Sequence, residues 1–183
     1  MASRIKPIWP GAAVAAPAFP VHCTAGDNLA VHVAAATAPA GSVLCVDVGN
    51  IADLGYWGEV LTTAAESRGI VGLVIDGCVR DVDALQAHGF PVFSTGASLP
   101  GATKENPGSV GIQATVGGVI VRAGDWIVGD VDGVVVLAGD RVEEIAAAGQ
   151  ARADKEAGFF EALKGGSTTI DLLGLDASLI DTP

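Results

Sequence analysis

The stretch IVGLVIDGCVRD, residues 70–81, decides the fold of this chain. Its first six residues are apolar apart from one glycine and rich in β-branched side chains, a pattern typical of a strand buried on both faces of a parallel sheet. Asp76 and Gly77 end the strand, and Arg80 and Asp81 follow at its carboxyl edge, where α/β proteins bind their ligands. The stretch therefore predicts an α/β fold and a functional site at this edge.

The segments on either side repeat the alternation of strand and helix. Apolar runs between turn residues predict strands at 42–48, 70–75, 91–93, 110–116, 119–121, 126–128 and 134–137. Helical periodicity predicts helices at 27–36, with Asp27 as cap, 57–68, 81–88 and 140–163, the last bent or broken near Gly149 or Gly158. The predicted order is a helix, a βαβαβ unit, closely spaced strands and a terminal helix.

The length and composition favour one compact domain. A chain of 183 residues, half of them hydrophobic, is long enough for one core, so we expect a single α/β domain over residues 1–183. The tail of about 165–183 is expected to form a short helical turn that is docked or lies at a subunit contact. Only 17% of the residues are charged, which favours a homo-oligomer that covers apolar surface.

Charge and hydropathy exclude several classes of partner. The net charge is −11 and the ten basic residues are scattered, which disfavours nucleic acid. No apolar run is long enough to span a bilayer, and prolines interrupt the N-terminal segment, so we expect no membrane partner and a cytoplasmic protein. The three cysteines form no CxxC pair and are expected to be reduced.

The helix predicted at 57–68 begins with a candidate anion site. The first amides of a helix lack partners within it, and Gly58 permits close approach, so the segment Gly58, Glu59, Val60 and Leu61 is a candidate to bind a substrate carboxylate. In the alternative interpretation, Gly58 is an entry turn and Glu59 is a favourable first-turn acid. The residues alone leave both interpretations open.

Arg80 and Asp81 form the second candidate. Arginine binds carboxylates through two parallel hydrogen bonds, and Mg²⁺ takes one or two protein carboxylates while keeping several waters, so Asp81 is a candidate metal ligand. Alternatively, the two residues form a structural ion pair and Asp81 caps a helix. Twenty residues separate Glu59 from Arg80.

Two other patterns fail as functional motifs. The loop 96–104 has glycines at the spacing of a phosphate-binding loop, but Ala102 occupies the position of the required lysine. The histidines His22, His32 and His88 lack the spacing of metal ligands, so we interpret them as helix-face or turn residues.

Four motifs together carry a resemblance to a known family. WGEVL at 57–61, RGIVGLVIDGCVRD at 68–81, GFPVF at 89–93 and GDWIVGDVDGVVVL at 124–137 resemble the regulator of ribonuclease activity A-like family. That family includes class II 4-hydroxy-4-methyl-2-oxoglutarate aldolases, also described as oxaloacetate decarboxylases. The resemblance runs from about residue 4 to residue 175.

The resemblance implies a fold and an assembly. It implies a swivelling β/β/α domain, with a central mixed sheet flanked by helices, in a homotrimer or dimer of trimers. It also places a divalent-metal site at a subunit interface.

Site residues follow from the family's acid-X20-Arg-Asp pattern, which falls on Glu59, Arg80 and Asp81. By this likeness Asp81 holds Mg²⁺ or Mn²⁺, Arg80 grips the 2-oxo acid, and the main-chain amides of 58–61 hold its carboxylate. Glu59, which replaces the aspartate of many family members, would orient a water.

The implied function is a pyruvate-forming lyase. It would cleave 4-hydroxy-4-methyl-2-oxoglutarate-type substrates and decarboxylate oxaloacetate, both through a pyruvate enolate. Two alternatives stay open: a non-catalytic, protein-binding regulator of ribonuclease E type, and a metal enzyme of the same fold acting on another oxo acid or sugar acid.

Overall fold

The computed structural model of the chain describes residues 1–180. Two compact units make up the chain, Met1–Asp140 and the segment from Arg141 onward. The single domain expected over 1–183 stays a prediction, and residues 181–183 of the predicted tail lie outside the described residues.

The first unit contains a central sheet, an antiparallel two-stranded sheet, a parallel two-stranded sheet and three helices. The strands are β1 (Lys6–Pro7), β2 (Val14–Cys23), β3 (Val43–Asp47), β4 (Gly72–Asp76), β5 (Cys78–Val79), β6 (Val92–Ser94), β7 (Gly96–Ala97), β8 (Gly108–Val110), β9 (Gln113–Val116), β10 (Val119–Arg122), β11 (Trp126–Gly129) and β12 (Val134–Leu137). The helices are α1 (Leu29–Thr37), α2 (Glu59–Glu66) and α3 (Val82–His88).

The central sheet is mixed. Its strand order is β1-β6-β4-β3-β2-β11-β12, with β8 also paired to β2. Strands β2, β3, β4 and β6 run parallel to their neighbours in that group, whereas β1, β8, β11 and β12 pair antiparallel. The predicted βαβαβ unit is confirmed as β3-α2-β4-α3-β6, and the predicted α/β fold with a central mixed sheet and flanking helices is confirmed with it.

Strand β2 was not predicted, and the reason is its two prolines. Pro17 and Pro20 lack amide protons and suggest a loop. In the structure Pro17 pairs with Trp126 of β11, and Pro20 pairs with Cys45 of β3. The strand therefore changes partner along its length, from β11 at residues 14–17 to β3 at residues 18–22, and accommodates a proline in each part.

A buried cluster fixes the chain just before α2. Tyr56 and Trp57 are fully buried, and the Trp57 ring stacks on Phe90 with ring centroids 6.0 Å apart. The Trp57 indole nitrogen donates to the Thr62 hydroxyl at 2.7 Å. These contacts hold the start of α2, which carries the first candidate site, against the core.

The second unit is helical over its described residues. A 3-10 turn (Gly139–Arg141) precedes α4 (Val142–Lys164), which continues through Gly149 and Gly158, so the break predicted there is wrong. Each glycine costs a helix only about 1 kcal/mol relative to alanine, too little to end a 23-residue helix that is otherwise rich in helix formers. The short helix α5 (Thr169–Leu173) and a 3-10 turn (Ala177–Leu179) follow.

The described helices are too short or too highly charged to cross a membrane. Even α4, the longest, carries too many charged residues, and none of the described helices combines the length and apolarity needed to cross a bilayer.

Candidate active site

Asp81 occupies a strained position between β5 and α3. Its φ of 59° lies in the left-handed region, and among the described residues no other non-glycine residue has a positive φ. Its Oδ2 atom accepts a hydrogen bond from the backbone nitrogen of Glu59 at 3.1 Å. Such a conformation costs about 1 kcal/mol or more and is concentrated at functional sites. The strained turn thus joins two of the predicted site residues.

Gly58 leaves the space that this arrangement needs. A Cβ atom at residue 58 would overlap Oδ2 of Asp81 and would lie 3.0 Å from Cγ of Arg80. The side chains of Arg80 and Asp81 can therefore approach the backbone at the start of α2 only because residue 58 is glycine. The backbone nitrogen of Arg80 also donates to the Trp57 carbonyl at 2.8 Å, which ties the two segments together.

The Arg80 guanidinium has donors available for a ligand. Its Nε lies 3.7 Å from Oδ2 of Asp81, too far for a hydrogen bond, and the side chain is 44% exposed. It donates no hydrogen bond to any described residue. Because a bound carboxylate would satisfy two of these donors at once, Arg80 is suited to an anion.

Arg80 lies at a pocket of about 170 Å³, smaller than the cavities that hold drug-sized ligands. Three polar residues that the sequence analysis did not assign to the site share it: Asn28, His32 and Lys104. The other lining residues are Gly55, Tyr56, Trp57, Gly58, Val60, Leu61, Gly101 and Ala102. Two cationic side chains in so small a space favour a small ligand with more than one anionic group.

Asn28 presents an unusual buried amide in this pocket. It is 4% exposed, and its Nδ2 donates to the Tyr56 carbonyl at 2.8 Å. Its Oδ1 is the one buried side-chain polar atom among the described residues without a hydrogen-bond partner. Because an unpaired buried acceptor is costly, a water or ligand hydroxyl that donates to it would be stabilised.

Burial and the Lys104 ammonium both act on His32 in the pocket. Burial, and secondarily the Lys104 ammonium, lowers the pKa of His32, so that its ring is neutral at pH 7. Lys104 donates to the Ala102 carbonyl at 3.3 Å, a long bond that a ligand anion can displace. Lys104 is thus the second cation available to a ligand.

The Glu59 side chain points toward α3. Its Oε1 lies 3.8 Å from Nε2 of His88, whose Nδ1 lies 2.8 Å from Oε2 of Glu66. Glu59 is not among the residues that line the pocket, although Val60 and Leu61 are. Of the four amides expected to bind a carboxylate, that of Glu59 is already engaged by Asp81, whereas Val60 and Leu61 begin a helix whose first amides have no partner within it.

The surroundings of Asp81 fit a cation held by few protein ligands. The described residues contain no group of three or more histidine, cysteine, aspartate or glutamate side chains that could hold a metal ion. Asp81 is 41% exposed and offers a carboxylate next to open space. Mg²⁺ commonly binds through one or two carboxylates with water in its other positions, so Asp81 satisfies this minimal requirement.

A larger cavity suits an anionic ligand less well. It measures about 450 Å³ and lies between the N-terminal residues and the turn that joins β11 to β12. Asp130 and Asp132 line it, and its lining residues include no lysine, arginine or histidine. Two cations at this cavity are already bound by backbone carbonyls: the Met1 amino group donates to the Val134 carbonyl at 2.8 Å, and the Lys6 ammonium donates to the Asp132 carbonyl at 2.7 Å. The smaller pocket at Arg80 is therefore the candidate active site.

The chain is similar to a family of known proteins along most of its length. The family model described as "RraA-like: Aldolase/RraA" matches residues 1–136. A Halalkalibacterium halodurans protein named "Putative 4-hydroxy-4-methyl-2-oxoglutarate aldolase" is 36% identical over 145 residues, which are 79% of this chain and 69% of that protein. A protein of the same name from Albidiferax ferrireducens is 43% identical over 54% of this chain and 57% of its own length.

Solved structures give the same relationship. The RNA-processing inhibitor RraA from Thermus thermophilus superposes with a TM-score of 0.68 and 28% identity, covering 75% of this chain and 83% of that one. Streptomyces coelicolor RraAS2, described as an unusual member of the RNase ES inhibitor RraA family, superposes with a TM-score of 0.70 and 25% identity, covering 87% and 82%. With its motifs, its fold and the match over residues 1–136 in agreement, this chain belongs to the RraA-like family.

Proposed function

We propose that this chain is a divalent-metal-dependent carbon–carbon lyase that forms pyruvate. Its substrates would be 4-hydroxy-4-methyl-2-oxoglutarate-type compounds, cleaved by a retro-aldol reaction, and oxaloacetate, which it would decarboxylate. The observation that carries the proposal is the pocket shared by Arg80 and Lys104 beside Asp81. Relatives named as aldolases support the reaction class.

Arg80 binds the 2-oxo acid end of the substrate in this proposal. Its free donors fit the carboxylate and 2-oxo oxygen, and the amides of Val60 and Leu61 at the start of α2 add further donors. A Mg²⁺ or Mn²⁺ ion on Asp81 would supply Lewis-acid stabilisation of the negative charge that develops on the 2-oxo oxygen. Arg80 stabilises the same charge from its side of the pocket.

Lys104 binds the other end of the substrate. A dicarboxylate in the pocket would place its second carboxylate at the Lys104 ammonium, and Asn28 Oδ1 would accept a hydrogen bond from a hydroxyl or water. Neutral His32 adds polar contact without a further charge. The pocket thus discriminates in favour of small oxo acids with two anionic ends.

Bond cleavage then follows from proton removal. A water oriented by Glu59 takes the proton of the C4 hydroxyl and passes a proton to the Glu59 carboxylate, the C3–C4 bond breaks, and its electron pair forms the enolate of pyruvate, which becomes pyruvate when C3 is protonated. The C4 oxygen becomes the carbonyl of the second product. Oxaloacetate gives the same enolate when its C3–C4 bond breaks and carbon dioxide leaves. Glu59 reaches the water by rotating its exposed side chain away from His88.

A homotrimer or dimer of trimers is part of the proposal. Val60 lines the pocket and is 76% exposed, so a neighbouring subunit would cover an apolar side chain at the site. Sedimentation of the purified protein tests this assembly, and a monomer at micromolar concentration would contradict it.

A non-catalytic regulator of ribonuclease E type is the second candidate. It is supported by the likeness to an RNA-processing inhibitor RraA and to an unusual member of the RNase ES inhibitor RraA protein family. Binding to a ribonuclease by itself does not require a strained aspartate beside a free arginine, and this pair favours the lyase. An enzyme acting on another oxo acid or sugar acid remains the third candidate.

Pyruvate release tests the proposal. Oxaloacetate and 4-hydroxy-4-methyl-2-oxoglutarate are supplied with Mg²⁺ and with EDTA, and the Asp81→Ala variant serves as the blank. Metal-dependent release that is lost in the variant supports the lyase. Absence of release from both compounds rejects it in favour of the other candidates.

A further inference from the structure

Asp27 is a buried carboxylate that joins two distant segments. It is 1% exposed, and its Oδ1 accepts from the Leu29 amide at 2.8 Å. Its Oδ2 accepts from the Thr103 hydroxyl at 2.7 Å, the Glu105 amide at 2.6 Å, and the Asn106 amide and side-chain nitrogen at 3.0 and 3.3 Å. One side chain therefore binds both the start of α1 and the loop 103–106.

Backbone hydrogen bonds run beside this carboxylate. The Asn28 amide donates to the Thr103 carbonyl at 2.9 Å, and the Thr103 amide donates to the Gly26 carbonyl at 2.9 Å. Lys104 lies between the residues that Asp27 binds directly. The backbone of Lys104 is thus fixed on both sides, whereas its side chain extends into the pocket.

The charge of Asp27 is what makes this attachment strong. Burial alone would raise its pKa, but the hydrogen bonds donated by the Glu105 and Leu29 amides, the Thr103 hydroxyl and the Asn106 amide outweigh burial and hold the pKa well below its usual range. The carboxylate is therefore ionised at neutral pH, and its hydrogen bonds are charge-assisted. A turn at the start of α1 would by itself require only the bond to Leu29.

Asp27 connects the two sides of the pocket. It precedes Asn28, which lines one side, and it binds the residues that flank Lys104, which lines the other. Asn28, the following residue, lines the pocket on the α1 side, and Lys104 lines it on the side of the loop. Loss of the carboxylate would free the loop to move relative to α1, and a lysine on a mobile loop loses more conformational entropy when it binds an anion. The cost would fall on the end of the substrate that Lys104 binds.

We infer that Asp27 is a positioning residue that acts through Lys104, fixing the loop 103–106 so that the pocket recognises the second anionic end of its substrate. The inference rests on the proposed function. Asp27 would thereby determine how strongly the pocket prefers ligands with two anionic groups over ligands with one, although Asp27 itself does not contact the ligand.

The test separates the two ends of the substrate. Exchange of the methyl protons of pyruvate with D₂O, followed by NMR, requires only the half of the site that contains Arg80 and Asp81. Oxaloacetate decarboxylation uses both halves. In Asp27→Asn the KM for oxaloacetate is expected to rise at least about tenfold, while the rate of pyruvate exchange stays within about twofold of wild type.

A double-mutant cycle that combines Asp27→Asn with Lys104→Met tests whether Asp27 acts on the KM through Lys104. If Asp27 acts through Lys104, Asp27→Asn should raise the KM of the Lys104→Met variant by less than about twofold. Independent, additive effects in the cycle would overturn the inference, as would an unchanged KM in Asp27→Asn. Asp125→Asn is the matched control, because this carboxylate accepts from the Arg122 amide in a turn outside the pocket.

A milder substitution, Thr103→Val, keeps the inference testable if Asp27→Asn fails to fold. Thr103→Val removes the hydroxyl that binds Asp27 at 2.7 Å and also contacts the Gly26 carbonyl at 3.2 Å, and it keeps the side-chain shape, so it should raise the KM in the same direction by a smaller factor. An unchanged KM in a folded Thr103→Val variant, with Asp27→Asn unfolded, would count against the inference. If the wild-type protein neither exchanges pyruvate protons nor releases pyruvate, the proposed function fails and the inference with it; a failure confined to the variants overturns the inference alone.

Discussion

The backbone nitrogen of Glu59 donates a hydrogen bond to Oδ2 of Asp81 at 3.1 Å, which ties the start of α2 to the start of α3. One oxygen of the proposed metal ligand is thereby held by the helix whose next amides are proposed to bind substrate. The Asp81 carboxylate and the amides at the start of α2 are therefore held at a fixed distance from each other. A substitution that moves one of them should also move the other.

Asp81→Asn should abolish metal-dependent pyruvate release. Asparagine tolerates the left-handed backbone and can still accept from the Glu59 amide, so the change removes charge with little change of shape. We expect turnover at fixed Mg²⁺ to fall at least about 100-fold, since Lewis-acid stabilisation is worth several kcal/mol. Circular dichroism should be unchanged. Turnover that persists in Asp81→Asn or in excess EDTA would exclude Asp81 as the metal ligand.

Arg80→Ala should lower kcat/KM for oxaloacetate at least about tenfold, or roughly 1.4 kcal/mol of transition-state stabilisation. Arg80→Lys should recover part of the loss, because lysine keeps the charge but lacks the planar fork of donors. Steady-state kinetics of the two variants against wild type provide the measurement. Unchanged kinetics in Arg80→Ala would remove this residue from the site.

Gly58→Ala should damage the site through overpacking. The new methyl group would overlap Asp81 Oδ2 and crowd Arg80, so we expect loss of at least about tenfold in kcat/KM and of about 1–3 kcal/mol in the free energy of unfolding. Gly149→Ala is the control, because nothing lies within 4 Å of a Cβ there. It should stabilise α4 by up to about 1 kcal/mol without changing kcat/KM. Equal kinetics for the two variants would contradict the crowding argument.

Glu59→Gln should lower kcat at least about tenfold and leave KM within about twofold, if its carboxylate orients the water that removes the proton. Glu66→Gln is the matched comparison. It removes the Glu66 carboxylate, whose Oε2 lies 2.8 Å from Nδ1 of His88, and it leaves Glu59 unchanged. Normal kcat in Glu59→Gln, or an equal loss in Glu66→Gln, would show that Glu59 serves only the contact between α2 and α3.

Stability should depend on pH through Asp27. A carboxylate whose folded-state pKa is depressed contributes stability fully above its unfolded pKa of about 3.9, and loses that contribution as the pH falls toward the folded value. Urea unfolding at pH 7, 5 and 3 should therefore show the difference between wild type and Asp27→Asn to be constant from pH 7 to 5 and smaller at pH 3. A difference that stays constant down to pH 3 would show that the pKa of Asp27 is the same in the folded and unfolded protein, and therefore is not depressed by folding.

The residues of the candidate site that are close together in the sequence could be predicted from local patterns. Arg80 and Asp81 follow a buried strand, and glycine before a helix start indicates an anion site, so the local pattern was enough. Asn28 and Lys104 were missed because each belongs to a different segment, and only the pairing of those segments through Asp27 and Thr103 brings them to one pocket. Asp27 was predicted as the cap of α1, but Asn28 occupies the capping position, and Asp27 binds the Leu29 amide from one residue earlier.

The errors in secondary structure have a common cause. Prolines are unfavourable within a strand such as β2, and glycines are unfavourable within a helix such as α4. Pairing with two different neighbours accommodates Pro17 and Pro20, and the length of α4 offsets Gly149 and Gly158. Tertiary and cooperative terms outweighed local preference in both elements.

The left-handed backbone of Asp81 also limits how this site can be re-engineered. In a randomised library at positions 80 and 81, β-branched and bulky side chains at 81 would be lost to misfolding before any screen for a new substrate could score them. Position 80 carries no such restriction, since its φ is not positive. Diversity is therefore best placed at 80, and at 28 and 104 across the pocket, with 81 confined to aspartate, asparagine and glycine.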